Sequence, residues 1–562
     1  MSAIAPDTLA LQCLYRWERE AASRVALTQP MGGGELKDFT WAEVADQVRR
    51  MAAHLKSQGW PEGSKVAILS KNCAWWLMSD LAIWMAGYVS VPLYPTLAAE
   101  TVQQILTHSE ARACFIGKLD GWEGMKPGVP AGLPCISYAL SPDDARKSYE
   151  GWDAIVARTA PLQGQVLRDA KELATLIYTS GTTGHPKGVM HSFGNFAWAL
   201  TAALGRFPMS ASDRLLSYLP LAHVVERVLV EHGWLRTGMH VFFAESLDTF
   251  NADVCRARPT IFFSVPRLWV KFQQGVLAKM PEQKLERLLR LPLIGGLVRK
   301  KLRKALGLDQ CRIAAGGAAP MPVALLNWFR HIGLPVNEGY GMTENLAISN
   351  ITKPGVDMTG TVGPAYDGVQ LRIDPANGEL LMRSPAVMLG YYKEPAMTAE
   401  VLDQEGWLHT GDKASIDAQG LVRITGRVKD LFKTSKGKYV APAPIEDRLT
   451  MHHAVEACAV TGANLGQPVG IVMLSPDAAQ RTGTEADRQQ LMAQLTQHLD
   501  DINARLDPHE QLDCLILVKT PWTVDNGFIT PTFKVRRNRI DEVFGPKLEA
   551  WVEERRKIIF GD

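Results

Sequence analysis

The stretch "LIYTSGTTGHPKGVM", Leu176 to Met190, passes from an apolar segment into hydroxyls and glycines and ends on Pro186-Lys187-Gly188. Leu173 to Tyr178 reads as a short buried strand, being apolar, partly β-branched and bounded by polar residues. Thr179, Ser180, Thr182 and Thr183 then offer hydroxyl donors. Gly181, Gly184 and Gly188 let backbone N–H groups crowd round an anion. Lys187 supplies a point charge, so the simplest ligand for such a loop is phosphate. The P-loop spacing G-x-x-x-x-G-K-S/T is not matched, because Pro186 stands at its second glycine and Gly188 at its Ser/Thr. The segment is a phosphate loop of another kind, or a Gly/Ser/Thr-rich surface loop.

Helical patterns and short apolar strands alternate outward from it. Trp41 to Gln58 reads as a helix, Val66 to Ser70 as a strand, Ala74 to Gly87 as a Trp-rich helix and Ser90 to Thr96 as a strand. The alternation predicts an α/β fold, with a large multi-layer N-terminal domain built on mainly parallel sheets. Trp75, Trp76 and Trp84 sit on an otherwise apolar helix, which favours core packing over an aromatic ligand site. Gly426 to Glu446 is rich in lysine, glycine and proline and reads as an exposed linker. The chain after it suffices for a small α+β domain. The expected division is 1–427 and 428–562.

Composition narrows the function. A chain of 562 residues calls for at least two domains, and 46% hydrophobic with 21% charged residues is globular. A net charge of +2 argues against a nucleic-acid binder. The eight cysteines are scattered with no CxxC pair, which fits a reducing compartment rather than zinc or disulfides. Neither a signal-peptide pattern nor an apolar run long enough to span a bilayer is evident, so the expected location is cytoplasmic.

Five more segments carry chemistry: YLPLAHVVERV (218–228), AAGGAAP (314–320), NEGYGMTEN (337–345), GWLHTGD (406–412) with Gly426-Arg427, and NGFITPTFKVRRN (526–538). In order and spacing, these and TSGTTGHPKG resemble the adenylate-forming (AMP-binding) superfamily, from about Phe39 to Arg537. The resemblance implies attack of a carboxylate on the α-phosphate of ATP, loss of pyrophosphate, and displacement of AMP by a thiol such as that of CoA. It implies that Thr179 to Lys187 holds the outer phosphates, that Thr343 donates to the α-phosphate and that Glu344 binds Mg²⁺. A hard carboxylate suits that ion, which keeps few protein ligands. As a bare residue Glu344 could equally stabilise a helix N-terminus.

By the same resemblance Gly316, Gly317, Ala318, Tyr340, Gly341 and Met342 line the adenine pocket. Asp412 accepts from the ribose hydroxyls, having acceptor sites to spare, with Arg427 beside it; Gly411-Asp412 is also ordinary turn chemistry. Lys534 would reach the α-phosphate and the substrate carboxylate when the small domain closes, and without its motif it would read as a solvated lysine in a basic run. Lys429 occupies the hinge position, and Gly437 lies on the loop offered to CoA after the domain swings. His223 and Gly341 border the acyl pocket.

The choice of acid rests on weaker signals. The SVPRLW stretch, the loop FKTSKGKYVAPAPIE and an extended helical insert resemble long-chain fatty acyl-CoA synthetases. Within that insert, Lys284 to Lys304 carries Lys284, Arg287, Arg290, Arg299, Lys300, Lys301, Arg303 and Lys304 against Glu286. Such a segment suits peripheral contact with an anionic membrane, at its inner face, or is a solvated helix face. Medium-chain or aryl acids, and a carrier protein in place of CoA, stay open. A non-catalytic fatty-acid-binding relative is disfavoured because Lys187, Glu344 and Lys534 are all present.

Overall fold

Thr40 shows how local chemistry starts an element. Its side chain accepts from the Glu43 backbone N–H while the Glu43 carboxylate takes the Thr40 N–H, a reciprocal cap that opens helix Trp41–Ser57. Ser192 and Asn195 cap helix Phe193–Arg206 in the same way. The Trp-rich segment forms helix Ala74–Met85, in which every residue is buried, so it has no polar face to show. Trp75, Trp76 and Trp84 are core residues, and Trp84 donates its indole N–H to the Ala174 carbonyl at 2.9 Å.

The computed structural model describes residues 4–180, 186–524, 526–530 and 534–561. Its largest sheet runs Gly390–Tyr391, Pro186–Ser192, Leu173–Ser180, Val89–Leu93, Lys65–Leu69, Ala111–Ile116, Cys135–Ser137, Glu150–Gly151. The five neighbouring pairs from Leu173–Ser180 to Glu150–Gly151 are parallel, and the first three strands are joined antiparallel. A second sheet orders Ile261–Ser264, Ile313–Gly316, Val336–Tyr340 and Asn350–Ile351, with the first three parallel. Arg214–Ser217, His240–Phe243, Val25–Gly32 and Glu35–Thr40 make a third. An antiparallel sheet from Gln370–Ile373 to Val422–Arg427 closes the large N-terminal part.

The C-terminal part is α+β. Its sheet orders Val455–Thr461, Val469–Leu474, Leu515–Val518 and Ile558–Phe560. Helix Glu485–Asn503 buries Leu491, Leu495, Leu499 and Ile502 on one side, and Ile540, Phe544, Leu548 and Trp551 fill a separate core on the other. Two separate apolar layers are what a half-buried sheet needs to be covered on both faces.

Two expectations change. Gly426 to Glu446 is not a bare linker: it holds the hairpin Phe432–Lys433 with Tyr439–Val440 and the start of helix Pro442–Leu449. Its turn chemistry builds structure because Val440 and Ile445 are buried in the small domain's core. The basic insert, expected to be extended and helical, is helical but folds back as two helices, Glu282–Arg290 and Ile294–Ala305. Pro292 forces the break by pushing Leu291 into extended backbone. Arg299 and Arg303 face the body, donating to the His331 carbonyl at 2.9 Å and the Gly333 carbonyl at 3.2 Å.

Candidate active site

The strands on either side of the glycine-rich motif, Leu173–Ser180 and Pro186–Ser192, pair antiparallel. Thr179 pairs with Lys187 and Ser180 with Pro186 across it. Gly181, Thr182, Thr183 and Gly184, and the side chain of Ser180, lie outside the described residues. Lys187 places its ammonium 5.3 Å from the Tyr391 ring centroid. Strand Gly390–Tyr391 is antiparallel to Pro186–Ser192, which brings Tyr391 to Val189. The Tyr391 hydroxyl then donates to Oε1 of Glu344 at 2.8 Å. One short strand thus connects the lysine of the hairpin with the candidate metal carboxylate.

Glu344 is held by its backbone. It lies in the short 3₁₀ turn Thr343–Asn345, whose preceding N–H, of Met342, donates to Asn345 Oδ1 at 2.9 Å. His191 donates from Nε2 to the Thr343 carbonyl at 2.7 Å, and burial pushes its imidazole down to about 4, so the ring is neutral. The Met388 N–H donates to the Glu344 carbonyl at 2.7 Å. Gly341 is required here, since a Cβ would come within 2.4 Å of the Ala347 backbone. That crowding follows from Leu346 and Ala347, both at positive φ, which fold the chain back on the turn.

The second sheet delivers the other half. Gly316 ends strand Ile313–Gly316 and Gly317 follows it; a Cβ on Gly317 would lie 2.8 Å from the Gly339 carbonyl oxygen. Ala318 has a φ of +69°, turning the chain away from the strand's end. Tyr340, at the end of Val336–Tyr340, donates its hydroxyl to Asp412 Oδ2 at 2.6 Å. Arg427 donates from Nε to Asp412 Oδ1 at 2.9 Å, the two residues standing opposite in antiparallel strands. Asp412 is thereby oriented through both oxygens and keeps further lone pairs for other donors.

Lys534 enters from the small domain. Its backbone carbonyl accepts from the Thr530 N–H at 2.8 Å. The residue keeps solvent access, yet its ammonium is close enough to the large domain to be perturbed there. Its pKa is lowered by desolvation and by Arg427, against the raising pull of Asp412 and Glu344. Burial, with the charge of Lys534 adding to it, pushes the His223 imidazole down to about 4. His223 Nδ1 accepts from the Val225 N–H at 3.3 Å, so the neutral ring carries its proton on Nε2. The domains further meet through the ion pair of Arg267 with Glu456.

Hydrogen bonds, a ring contact and through-space charge thus link Lys187 with Glu344, Tyr340 with Asp412 and Arg427, and Lys534 with Arg427, Asp412, Glu344 and His223. Lys429 is exposed just after Arg427 and lines a cavity of about 340 Å³ with Asp430, Val460 and Arg537. Gly437, with a φ of +77°, turns the Phe432–Val440 hairpin of the small domain; no described contact joins it to Glu344, Asp412 or Lys534. Among the described residues no cluster of three His, Cys, Asp or Glu could hold a metal unaided. A single carboxylate with phosphate oxygens and water still suits Mg²⁺, and Glu344, anchored through one oxygen, has its other oxygen to offer.

Three participants escaped the sequence reading. Tyr391 and His191 carry no motif and act through strand pairing. Glu338 sits inside NEGYGMTEN, yet only burial marks it: its Oε1 accepts from the Met321 N–H at 2.9 Å and its carboxyl is pushed up to about 7.

A hairpin lysine, a carboxylate oriented by Tyr340 and Arg427, and a lysine supplied by a second domain stand together as the resemblance to adenylate-forming enzymes implies. The AMP-binding enzyme model matches residues 14–392 and the AMP-binding enzyme C-terminal domain model matches 429–555. The chain belongs to the AMP-binding enzyme family. It is 29% identical over 581 residues to the long-chain-fatty-acid–CoA ligase FadD15 of Mycobacterium tuberculosis, covering 96% of each chain. Among solved structures it resembles the anthranilate CoA ligase AuaEII in complex with anthranoyl-AMP (TM-score 0.77, 22% identity, 96% of this chain and 98% of that one). It also resembles the adenylation domain of a carboxylate reductase from Mycobacterium chelonae (TM-score 0.80, 23% identity, 97% and 91%). No described helix is long and apolar enough to cross a membrane.

Proposed function

We infer that the protein activates a long-chain fatty acid with ATP and passes the acyl group to CoA, releasing AMP and pyrophosphate. The full-length likeness to a long-chain ligase supports the substrate class. The observation that carries the mechanism is that Lys534, on the small domain, stands where its charge interacts with Glu344, Asp412 and His223 of the large one. A carboxylate oxygen attacks the α-phosphorus and the bond to pyrophosphate breaks. Positioning and charge neutralisation dominate such a step. Thr179 to Lys187 grips the departing phosphates, Thr343 donates to the α-phosphate, and Lys534 neutralises charge on the α-phosphate and attacking carboxylate. Tyr340, with Gly316 to Ala318, Gly341 and Met342, frames the adenine, and Asp412 with Arg427 holds the ribose. Mg²⁺, bound by Glu344, supplies further neutralisation of the phosphates when present.

In the second step the CoA thiolate attacks the acyl carbonyl and the bond to AMP breaks. Lys534 is no longer needed there. The small domain, residues 428–562, rotates at Lys429 against residues 1–427, withdrawing Lys534 and presenting the Gly437 hairpin. The reaction runs in the cytoplasm, from which the protein reaches the inner face of the membrane. A second reading keeps the adenylate but changes the acid to a medium-chain or aryl one, or the acceptor to a carrier protein; the aryl-acid ligase and carboxylate reductase folds favour it.

Pyrophosphate release, measured across acids from acetate to oleate and aryl acids with and without CoA, tests the reading. The expected result is a maximum at long chains with turnover that needs CoA. Release with aryl or short acids, or a single turnover that CoA cannot accelerate, overturns the substrate or the acceptor.

A further inference from the structure

We propose that the tip of the helical hairpin Glu282–Ala305 is an anchor for an anionic lipid bilayer. Large exposed aliphatic side chains elsewhere in the described chain are scattered along the sequence, as on any soluble surface. Here four fall within seven residues: Leu291, Leu293, Ile294 and Leu297, with Leu293 90% and Leu297 69% exposed. They crown the turn between the two helices. Leu293 has a φ of +64°, a conformation an L side chain rarely adopts, and it stands out from the body.

Charge surrounds this apolar tip. Lys284, Arg287, Arg290, Lys300, Lys301 and Lys304 are spread over the same hairpin. On helix Ile294–Ala305 the helical period puts Ile294, Leu297, Lys301 and Lys304 on one face. Its opposite face holds Gly295, Val298, Leu302 and the tethered Arg299 and Arg303 against the protein. An apolar tip flanked by lysines matches an interface with hydrocarbon below and phosphate above. A second copy of this chain is a poor match, since tip-to-tip contact would bring two basic clusters together. A convex tip also offers a folded partner no groove to fill, whereas a bilayer deforms around it.

The position separates anchoring from catalysis. Helix Val323–His331 leads from the end of strand Ile313–Gly316 back to the start of Val336–Tyr340, so its last turn lies at the sheet end away from Gly316 and Tyr340. Arg299 and Arg303 bind the hairpin to that end, at His331 and Gly333. The hairpin holds the protein at a surface; it does not form the mouth of the site. The inference makes specific the membrane contact in the function proposed above, but vesicle binding and ligase activity can fail separately.

The test is co-sedimentation, without substrates, on vesicles of phosphatidylcholine alone or mixed with phosphatidylglycerol. Wild type is expected to bind the anionic vesicles and to be released as salt rises from about 0.1 M to about 1 M. Leu293→Ser with Leu297→Ser, and separately Lys300→Gln with Lys301→Gln and Lys304→Gln, should each weaken partitioning about tenfold. Both sets lie on the surface of the hairpin, and unchanged melting with unchanged turnover of a soluble acid would show that the fold is intact. As a second readout, Leu293→Trp should show a blue-shifted emission on anionic vesicles. Equal binding to neutral vesicles, or partitioning that neither set of changes alters, overturns the proposal. So does a wild-type dimer that the leucine changes dissolve without any vesicle binding.

Discussion

Tyr391 donates its phenolic proton to Oε1 of Glu344 at 2.8 Å while its ring lies 5.3 Å from the Lys187 ammonium. A group with no motif of its own therefore orients one charged residue and stacks against another. Tyr391→Phe keeps the ring and frees the carboxylate, and should lower the rate of pyrophosphate release about tenfold, the worth of one hydrogen bond to a charged group. Melting should hardly change. A rate equal to wild type would mean that Glu344 needs no orienting partner.

Lys534→Ala should slow adenylate formation by about 10² to 10³-fold, as removal of a transition-state charge does. Thioester formation from supplied acyl-AMP should stay comparatively intact. Equal loss in both half-reactions would remove the two-conformation mechanism.

At the hinge, Lys429→Pro should separate the half-reactions, because proline fixes φ where rotation is required. One half-reaction should proceed near its normal rate while the other falls about tenfold or more. Asp430, the next residue, accepts from Arg537 Nε at 3.2 Å, so hinge rotation carries the segment of Lys534 with it. Unaltered kinetics for both steps would place the hinge elsewhere.

Burial pushes the Glu338 carboxyl of the large domain and the Asp447 carboxyl of the small one each up to about 7. For Asp447, Glu446 and Glu338 add to the rise. A carboxyl raised in the closed form binds its proton more tightly there than when exposed. Its favourable contribution is complete at acid pH and is lost as pH rises from about 4 through about 7. Closure should therefore be weaker at pH 8 than at pH 6. Glu338→Gln, which retains the acceptor for Met321, should flatten the pH dependence of melting; an unchanged slope would discard the pair as its source.

Arg227, Asp80 and Glu231 form a fully buried cluster, with Arg227 Nη2 2.5 Å from Asp80 and 3.5 Å from Glu231. Burial drives the Glu231 carboxyl well up against the pull of Arg227, and so favours its neutral form. Asp80→Asn should cost about 3–5 kcal/mol, since the cation is left without its partner. Glu231→Gln should cost under about 1 kcal/mol, replacing one neutral group with another. Chemical denaturation of both variants decides; a large loss for Glu231→Gln would mean that this carboxyl is ionised.

Local and repetitive features were legible in the chain itself. Strand Leu173–Ser180, the helices from Trp41 and from Ala74, and the core role of Trp75, Trp76 and Trp84 follow from residue period and apolarity, which act within a few residues. The residues Lys187, Glu344, Asp412 and Lys534 could be named because they stand in motifs that resemble a family; by residue type alone Lys534 reads as a solvated lysine. Their convergence could not be read that way. Tyr391 reaches Glu344 only because a two-residue strand adds to the Pro186–Ser192 edge, and the charge of Lys534 acts on Glu344 and Asp412 only because a separate domain packs against theirs. Nor does composition distinguish Arg299 and Arg303, bound to backbone carbonyls, from Lys300 and Lys301, left at the surface. Local sequence determined which elements form and which side chains can do the chemistry. Tertiary structure decided which of them meet, because strand pairing and domain packing join residues hundreds of positions apart, and no local pattern records that distance.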